Sequence, residues 1–282
     1  MNLLKISNFF KSYKDSNFSI ENFNLTISGG EVIGLIGNNG SGKSSVINSL
    51  VGNRKYDSGD FEFLSHKWEP NSHCFKENLG VAFDNNRLSK ELNVKQLNIV
   101  FKNLYSTWDS SYYYNLINKF NLPTKQIIKN FSRGMLMKLS IAVAMSHDTK
   151  LLILDESTAG IDISSRNEIL DMLKTFSNNN NAIIITSHIS SDLDTIATKL
   201  VFLKNGKKIL EMKKDSLFNN YCVKTTKKDE FHNVSKKGML AFIKKGDVIK
   251  YITKKDESSI SINSLEDISY IIVEGEVVCE DF

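Results

Sequence analysis

Two stretches of this 282-residue chain carry residues whose types and spacing suit phosphate chemistry. The first is Gly37-Asn38-Asn39-Gly40-Ser41-Gly42-Lys43-Ser44, which fits the pattern G-x-x-x-x-G-K-[ST] without a gap. Its glycines let the backbone curl so that several N–H groups face one phosphate chain. A helix starting near Lys43 adds its positive end. In such a loop the lysine reaches the β- and γ-phosphates of a nucleoside triphosphate, and the Ser44 hydroxyl ligates Mg²⁺. The second stretch is Leu151-Leu152-Ile153-Leu154-Asp155-Glu156. Four apolar residues bury a strand, and two carboxylates emerge at its C-terminal end, where ligands bind in open α/β sheets. Asp155 is placed to hold the metal ion. Glu156, one residue on, points elsewhere and suits activation of a water. Many strands end in Asp-Glu, so the second stretch gains its meaning from the first.

The elements around these residues are the ones such a site needs. Val32-Ile33-Gly34-Leu35-Ile36 is a short, continuous apolar run, as in a buried parallel strand. With the loop and a helix from about Lys43 to Leu50, it makes the strand–loop–helix context of a phosphate loop. Before it, Leu3 to Tyr13 and Phe18 to Ile27 alternate as strands. Residues from about 85 to 147 read as a mainly helical insertion, with Pro123 between two of its helices. Strands at Leu151–Leu154, Ala182–Thr186 and Leu200–Leu203 then alternate with helices at Arg166–Phe176 and Leu193–Ala197. That alternation predicts an α/β domain with a mostly parallel sheet. From Lys213 on, lysine pairs punctuate short β-like pieces such as Val248–Ile252 and Tyr270–Val278, a small accessory region of strands with a solvated basic face.

The bulk numbers are those of an ordinary globular chain: 41% hydrophobic, 24% charged, and a formal net charge of +4 that neither demands nor excludes an anionic partner. Cys74, Cys222 and Cys279 are sparse and show no paired spacing, which argues against a disulfide framework and a zinc site and fits a reducing compartment. No apolar run is long enough to span a bilayer, and the N-terminus lacks a secretory signal. The expected location is the cytoplasm, with membrane association through a partner.

Taken in order, these motifs resemble the ATP-binding subunits of ATP-binding-cassette (ABC) transporters from about residue 2 to 212, followed by the accessory region 213–282. Gly37–Ser44 resembles the Walker A loop, and Leu151–Glu156 resembles Walker B with its catalytic glutamate. Phe131-Ser132-Arg133-Gly134-Met135 resembles the signature motif, Ser157 to Asp162 the D-loop, and His188 in Thr186-Ser187-His188 the switch histidine. Tyr13 sits where the family keeps an aromatic that stacks on adenine. The resemblance therefore implies a P-loop NTPase core with a helical subdomain. It also implies ATP and Mg²⁺ as cofactors and nucleotide contacts from Tyr13, from Gly37 to Ser44 with the adjacent Ser45, and from Asp84, Ser132, Arg133, Gly134 and Asp162. Ser44, Asp155 and Asp84 are the implied metal ligands, with Glu156 and His188 as catalytic residues.

Some positions depart from the family pattern. Asp84 stands where a glutamine is usual, and an ionised aspartate offers only acceptors. Arg133 replaces the first signature glycine, adding a cation suited to a phosphate or a carboxylate. Met135 and Ser157 replace a glutamine and a proline. Together with Thr107-Trp108-Asp109 and a closing segment Ser264-Leu265-Glu266-Asp267-Ile268, they resemble a bacterial subgroup of ABC-2 exporters that includes the exporters of phenol-soluble modulin peptides. The resemblance implies a head-to-tail pair of nucleotide-binding subunits, identical or paralogous, a separate membrane permease on whose inner face they sit, and no nucleic-acid partner. Two rivals stay open at this level: a soluble ABC ATPase, and a regulatory subunit that senses nucleotide with little hydrolysis.

Overall fold

The structure, a computed structural model, describes residues 2–14, 17–67, 72–83, 88–156, 158, 160–187, 189–256 and 264–278. The chain begins with β1 (Asn2–Ser12), β2 (Ser19–Ser28), β3 (Val32–Ile36), α1 (Lys43–Leu50), β4 (Ser58–Phe63) and β5 (His66–Lys67). Next come α2 (His73–Glu77), β6 (Leu79–Phe83), α3 (Val94–Leu104), α4 (Ser110–Lys119) and α5 (Arg133–Met145). The α/β alternation resumes with β7 (Leu151–Asp155), α6 (Ile163–Asn178), β8 (Ala182–Thr186), α7 (Ser190–Ile196), β9 (Lys199–Lys204) and β10 (Lys207–Lys213). The tail holds α8 (Lys214–Asn220), β11 (Tyr221–Lys227), β12 (Met239–Lys245), β13 (Val248–Lys254), α9 (Leu265–Glu274) and β14 (Glu276–Val277).

A six-stranded sheet ordered β10-β9-β3-β8-β7-β6 organises the molecule. Strands β9, β3, β8, β7 and β6 run parallel, and β10 adds an antiparallel edge. Strand β3 and most of β7 and β8 are buried on both faces, which explains their unbroken apolar sequences. Alternate side chains go to opposite faces. Ile33, Leu35, Ile153 and Ile184 join Val46 and Ile47 of α1 and Leu4, Ile6, Phe9 and Phe23 of the β2-β1-β4-β5 sheet. On the other face, Leu152, Leu154, Ile183 and Ile185 join α5, α6 and the tail residues Leu265, Ile268 and Ile272. All the parallel strands end on one edge, so the loops after β3, β7 and β8 converge there.

The helical insertion is anchored by a carboxylate. Glu77 at the end of α2 accepts from Ser106 N (2.6 Å), Thr107 N (3.3 Å) and Thr107 Oγ1 (2.6 Å). Trp108 Nε1 donates to Asn98 of α3 (2.9 Å), and Asp109 caps α4 by accepting from Tyr112 N (2.8 Å). The Thr107-Trp108-Asp109 segment thus ties α3 and α4 to the core. His147 lies beneath it, with Nδ1 2.8 Å from the Glu77 carbonyl and its ring stacked on Tyr105 at 4.1 Å.

The tail departs from the expectation of strands alone. Its sheet is ordered β11-β13-β12-β14, but Tyr270 to Glu274 belong to α9, and only Glu276–Val277 form a strand. A short apolar run reads equally as strand or buried helix. Burial of Leu265, Ile268, Ile271 and Ile272 and the Ser264 cap decide for helix. Gly275 ends it, because a side chain there would strike the carbonyls of Phe242 and Ile271. Helix α6 begins three residues earlier than Arg166, since Asp162 caps it.

Candidate functional site

The loop between β3 and α1 has the curled form its glycines suggest. A Cβ at Gly37 would lie 2.4 Å from the Leu203 carbonyl, so that close approach to β9 admits only glycine. Gly42, at φ +113°, turns the chain into α1, and its carbonyl accepts from Ser45 N and Val46 N at 3.0 Å. Lys43 is buried, and its Nζ donates to the loop's own carbonyls at Gly37 (2.6 Å) and Asn38 (3.1 Å). Burial pushes its pKa down, while the charges of Glu156 and Asp155 oppose that shift. The Ser41 hydroxyl is buried and finds no hydrogen-bond partner among the described residues.

The two carboxylates are organised by the neighbouring strand. Thr186, fully buried at the end of β8, donates its hydroxyl to Asp155 Oδ1 at 2.6 Å. The Glu156 N–H lies 3.0 Å from the same hydroxyl and 3.2 Å from the Thr186 carbonyl. Glu156 itself is left-handed, at φ +53°, which costs a residue with a Cβ about 1–2 kcal/mol. That turn breaks the strand alternation and brings Glu156 to the wall of a cavity of about 420 Å³, which is also lined by residues 38–45. Beyond β8, Ser187 and Thr158 place their hydroxyls 3.3 Å apart, and Ser187 lies 3.4 Å from Asp192. Asp192 is paired with Arg166 at 3.5 Å.

Tyr13 also lines the cavity. Its hydroxyl donates to Ser45 Oγ (2.5 Å) and accepts from Arg54 (3.1 Å). Cations of Arg54 and Lys11 each stand 5.5 Å from its ring centroid, and Phe18 is tilted against it at 5.8 Å. Arg54 and Phe18 also line the cavity, and sequence reading had passed over both. Arg54 lies in the turn after α1 and Phe18 just before β2, and neither belongs to a motif. Thr186 was placed at the end of the Ala182–Thr186 strand and before His188 but given no role, although a polar residue ending an apolar strand was the available signal.

Not every expected residue comes to this cavity. Ser132, Arg133, Gly134 and Asp162 are absent from the lining formed by the described residues, as are Gly37 and Asp155, although Gly37 adjoins the lining residue Asn38 and Asp155 adjoins Glu156. Ser132 caps α5 by accepting from Met135 N at 3.2 Å. The Arg133 guanidinium lies over Gly160, where an added Cβ would be 3.0 Å from Nη1. Asp162 accepts from Ser165 N at 2.9 Å, and this cap holds its carboxyl below the usual range. Asp84 and His188 lie outside the described residues. Among the described residues, no helix is long and apolar enough to cross a membrane.

The arrangement can receive a polyphosphate along the curled loop, a flat ring beside Tyr13, and a water near Glu156. Hard oxygen donors at Ser44 and Asp155 fit Mg²⁺, which binds through one or two carboxylates together with substrate phosphates. The unpartnered Ser41 hydroxyl fits the same occupant.

Comparison with known proteins agrees with this geometry. The ABC transporter family model matches residues 20–159. The lantibiotic transport ATP-binding protein SrtF of Streptococcus pyogenes is 34% identical over 226 residues, covering 77% of this chain and 96% of that protein. YtrB, an ABC transporter ATP-binding protein of Bacillus subtilis, is 29% identical over 210 residues, covering 73% and 71%. A Nod factor export ATP-binding protein I of Sinorhizobium fredii is 27% identical over 225 residues, covering 77% and 64%. Among solved structures, an ATP-binding subunit of an ABC transporter superposes with a TM-score of 0.70 at 22% identity, covering 77% of this chain and 92% of that one. The dimeric bacterial cassette MJ0796 gives 0.66 at 20% identity, covering 74% and 98%. Sequence, fold and phosphate-loop geometry therefore agree that this chain belongs to the ABC transporter family, as one of its ATP-binding, ATP-hydrolysing cassettes.

Proposed function

We propose that this cassette powers export through a separate membrane permease, working as one of a head-to-tail pair on the inner face of the membrane. The observation that carries the reading is the division of the site. Tyr13, residues 38–45 of the phosphate loop and Glu156 line one cavity, with Asp155 next to Glu156 at the end of β7, whereas Ser132, Arg133, Gly134 and Asp162 do not line it. A second cassette facing the first supplies those groups, and only the closed pair surrounds the γ-phosphate with donors. A relative named for Nod factor export supports the export direction, and one named for lantibiotic transport supports a peptide cargo. The proposed cargo is an amphipathic peptide. Helix α3 exposes Ile99, Val100 and Leu104, an apolar face suited to a membrane partner.

Within each site the residues have distinct tasks. Lys43 leaves the carbonyls of Gly37 and Asn38 for the terminal phosphates, and the loop amides and α1 take the rest of the chain. Tyr13 stacks on the adenine. Glu156 orients and polarises the attacking water, and His188 steadies the γ-phosphate. Ser44 and Asp155, together with Asp84 as the family resemblance implies, would hold Mg²⁺, which would supply charge neutralisation of the phosphates. Phosphoryl transfer then depends on positioning and electrostatics rather than on a covalent intermediate.

The test is co-purification of the full chain from its own cells, with steady-state ATPase measured on the isolated material. A permease travelling with the chain, and ATP turnover that rises steeply with cassette concentration, are the expected results. A monomer with concentration-independent turnover and no membrane partner would overturn the paired-exporter reading.

A further inference from the structure

The phosphate loop is held from a place far along the chain. Asn38 Nδ2 donates to Glu274 Oε1 at 2.7 Å, across a separation of 236 residues. Asn38 is therefore gripped twice, because its carbonyl also accepts from Lys43. Glu274 is the last residue of α9, and no basic residue occupies that helix's final turn. A carboxylate there faces the negative end of the helix dipole, a locally unfavourable choice. The bond to Asn38 offsets that conflict, and local rules are most often broken where a residue serves a site.

The rest of the neighbourhood fixes Glu274 in position. Helix α9 buries Leu265, Ile268, Ile271 and Ile272 in the core that also contains Leu193 and Ile196 of α7. Helix α7 starts at Ser190, two residues after His188 in the sequence. Behind Glu274, the Gly275 carbonyl accepts from Lys204 Nζ at 2.7 Å. Lys204 ends β9, whose Leu203 carbonyl is the group Gly37 approaches, and Gly206 N donates to Ser41 O at 3.0 Å. One rigid helix thus packs beside the element that follows the switch histidine and ends on the phosphate loop.

We infer that Glu274 is a positioning residue: acting through Asn38, it sets the first turn of the phosphate loop for the triphosphate and makes the C-terminal helix a determinant of ATP affinity. This rests on the reading of Gly37–Ser44 as the nucleotide site. The Asn38–Glu274 bond is solvent-exposed, so its effect is modest and falls on binding rather than on the chemical step. A glutamine at 274 keeps an oxygen acceptor for the Asn38 amide, whereas alanine does not.

The experiment compares Glu274→Ala, Glu274→Gln, Asn38→Ala and the Glu274→Ala/Asn38→Ala double variant in the full chain. MgATP hydrolysis gives KM and kcat, and a fluorescent ATP analogue gives Kd. Glu274→Ala is expected to raise KM and Kd about two- to fivefold with kcat within about twofold, a loss of binding rather than of chemistry. Glu274→Gln should stay near the parent, and the double variant should be no worse than Asn38→Ala, since residues in contact do not add. Unchanged affinity in Glu274→Ala, equal damage in Glu274→Gln, or additive effects would overturn the inference. Should Glu274→Ala fail to fold, Asn38→Ala alone decides: an affinity equal to the parent's overturns the inference. Lys43→Ala, run alongside, separates the two readings. Lost binding there with a silent Glu274→Ala removes the Glu274 role alone, whereas retained binding removes the nucleotide-site reading and the inference with it.

Discussion

The Thr186 hydroxyl donates to the Asp155 carboxylate at 2.6 Å while receiving the Glu156 N–H at 3.0 Å. One buried side chain on β8 thereby orients both acidic residues at the end of β7. Thr186 is fully buried, so losing its hydroxyl removes a bond that solvent does not readily replace.

Thr186→Val should expose this dependence. The variant keeps shape and loses the hydroxyl, so Asp155 loses the Thr186 bond and the Glu156 turn loses one of its two Thr186 contacts. ATPase kcat is expected to fall about tenfold, the worth of one hydrogen bond to a charged group. Nucleotide Kd should change by less than about threefold, and Thr186→Ser should recover most of the loss. A kinetic comparison of the three proteins checks this, and full activity in Thr186→Val would contradict it.

Glu156→Gln separates binding from chemistry. The amide fills the same space at the cavity wall but cannot polarise a water as a carboxylate does. Turnover should drop about 10²–10⁴-fold, the usual contribution of a general base, with ATP affinity preserved. With ATP present, size-exclusion chromatography should show a stable dimer. Near-normal turnover would remove Glu156 from its proposed role.

Tyr13 offers a test of how the base is recognised. Tyr13→Ala removes the ring and is expected to weaken ATP affinity about three- to tenfold, the scale of an aromatic stacking contact. Tyr13→Phe keeps the ring but loses the bonds to Ser45 and Arg54, so its loss should be about twofold or less. Equal losses in both variants would place the hydroxyl, not the ring face, in the main role. Equilibrium binding of a fluorescent ATP analogue measures both.

The anchor of the helical insertion should make the fold acid-sensitive. Burial raises the Glu77 pKa, but the bonds from Thr107 and Ser106 outweigh burial and hold it below its ordinary value. A carboxyl depressed in the fold stabilises above its unfolded pKa and loses that contribution as pH falls. Burial also depresses the pKa of His147, opposed by the Glu77 carbonyl and by the charges of Glu77 and Asp148. The unfolded state therefore gains a proton there first, and stability declines once pH drops below the ordinary histidine value of about 6.5. The thermal midpoint should fall from neutrality downward, and more steeply in the carboxylate range. Thr107→Val should cost about 1–2 kcal/mol at neutral pH and flatten the decline below about pH 5, because Glu77 then titrates closer to its unfolded value. Differential scanning fluorimetry across pH 4–8 reads both effects.

Strands β3, β7, β8 and β9 could be placed from sequence because each writes a continuous apolar run, whereas β6, only partly buried and interrupted by Gly80, was not read as a strand. Strand β8 was located at Ala182–Thr186 and α1 at Lys43–Leu50, as the structure has them. The Tyr270–Glu274 segment was misread as strand because short apolar runs carry no period long enough to discriminate, and its packing against the core settled it as α9. Arg54 and Phe18 could not be found in advance, since nothing in a turn or a strand's flank announces which cavity it will face.

The amino-acid sequence by itself determined the chemistry on offer: a phosphate loop, an acidic strand end, and the order of motifs that marks the family. Those are local properties, in which residue types at fixed spacing dictate a turn, a helix start or a buried strand. Tertiary structure alone decided that Thr186 orients Asp155, that Arg54 lies over Tyr13, and that Asn38 meets Glu274. Each of these joins residues from separate elements, and their partnership exists only once a shared core has fixed where those elements lie.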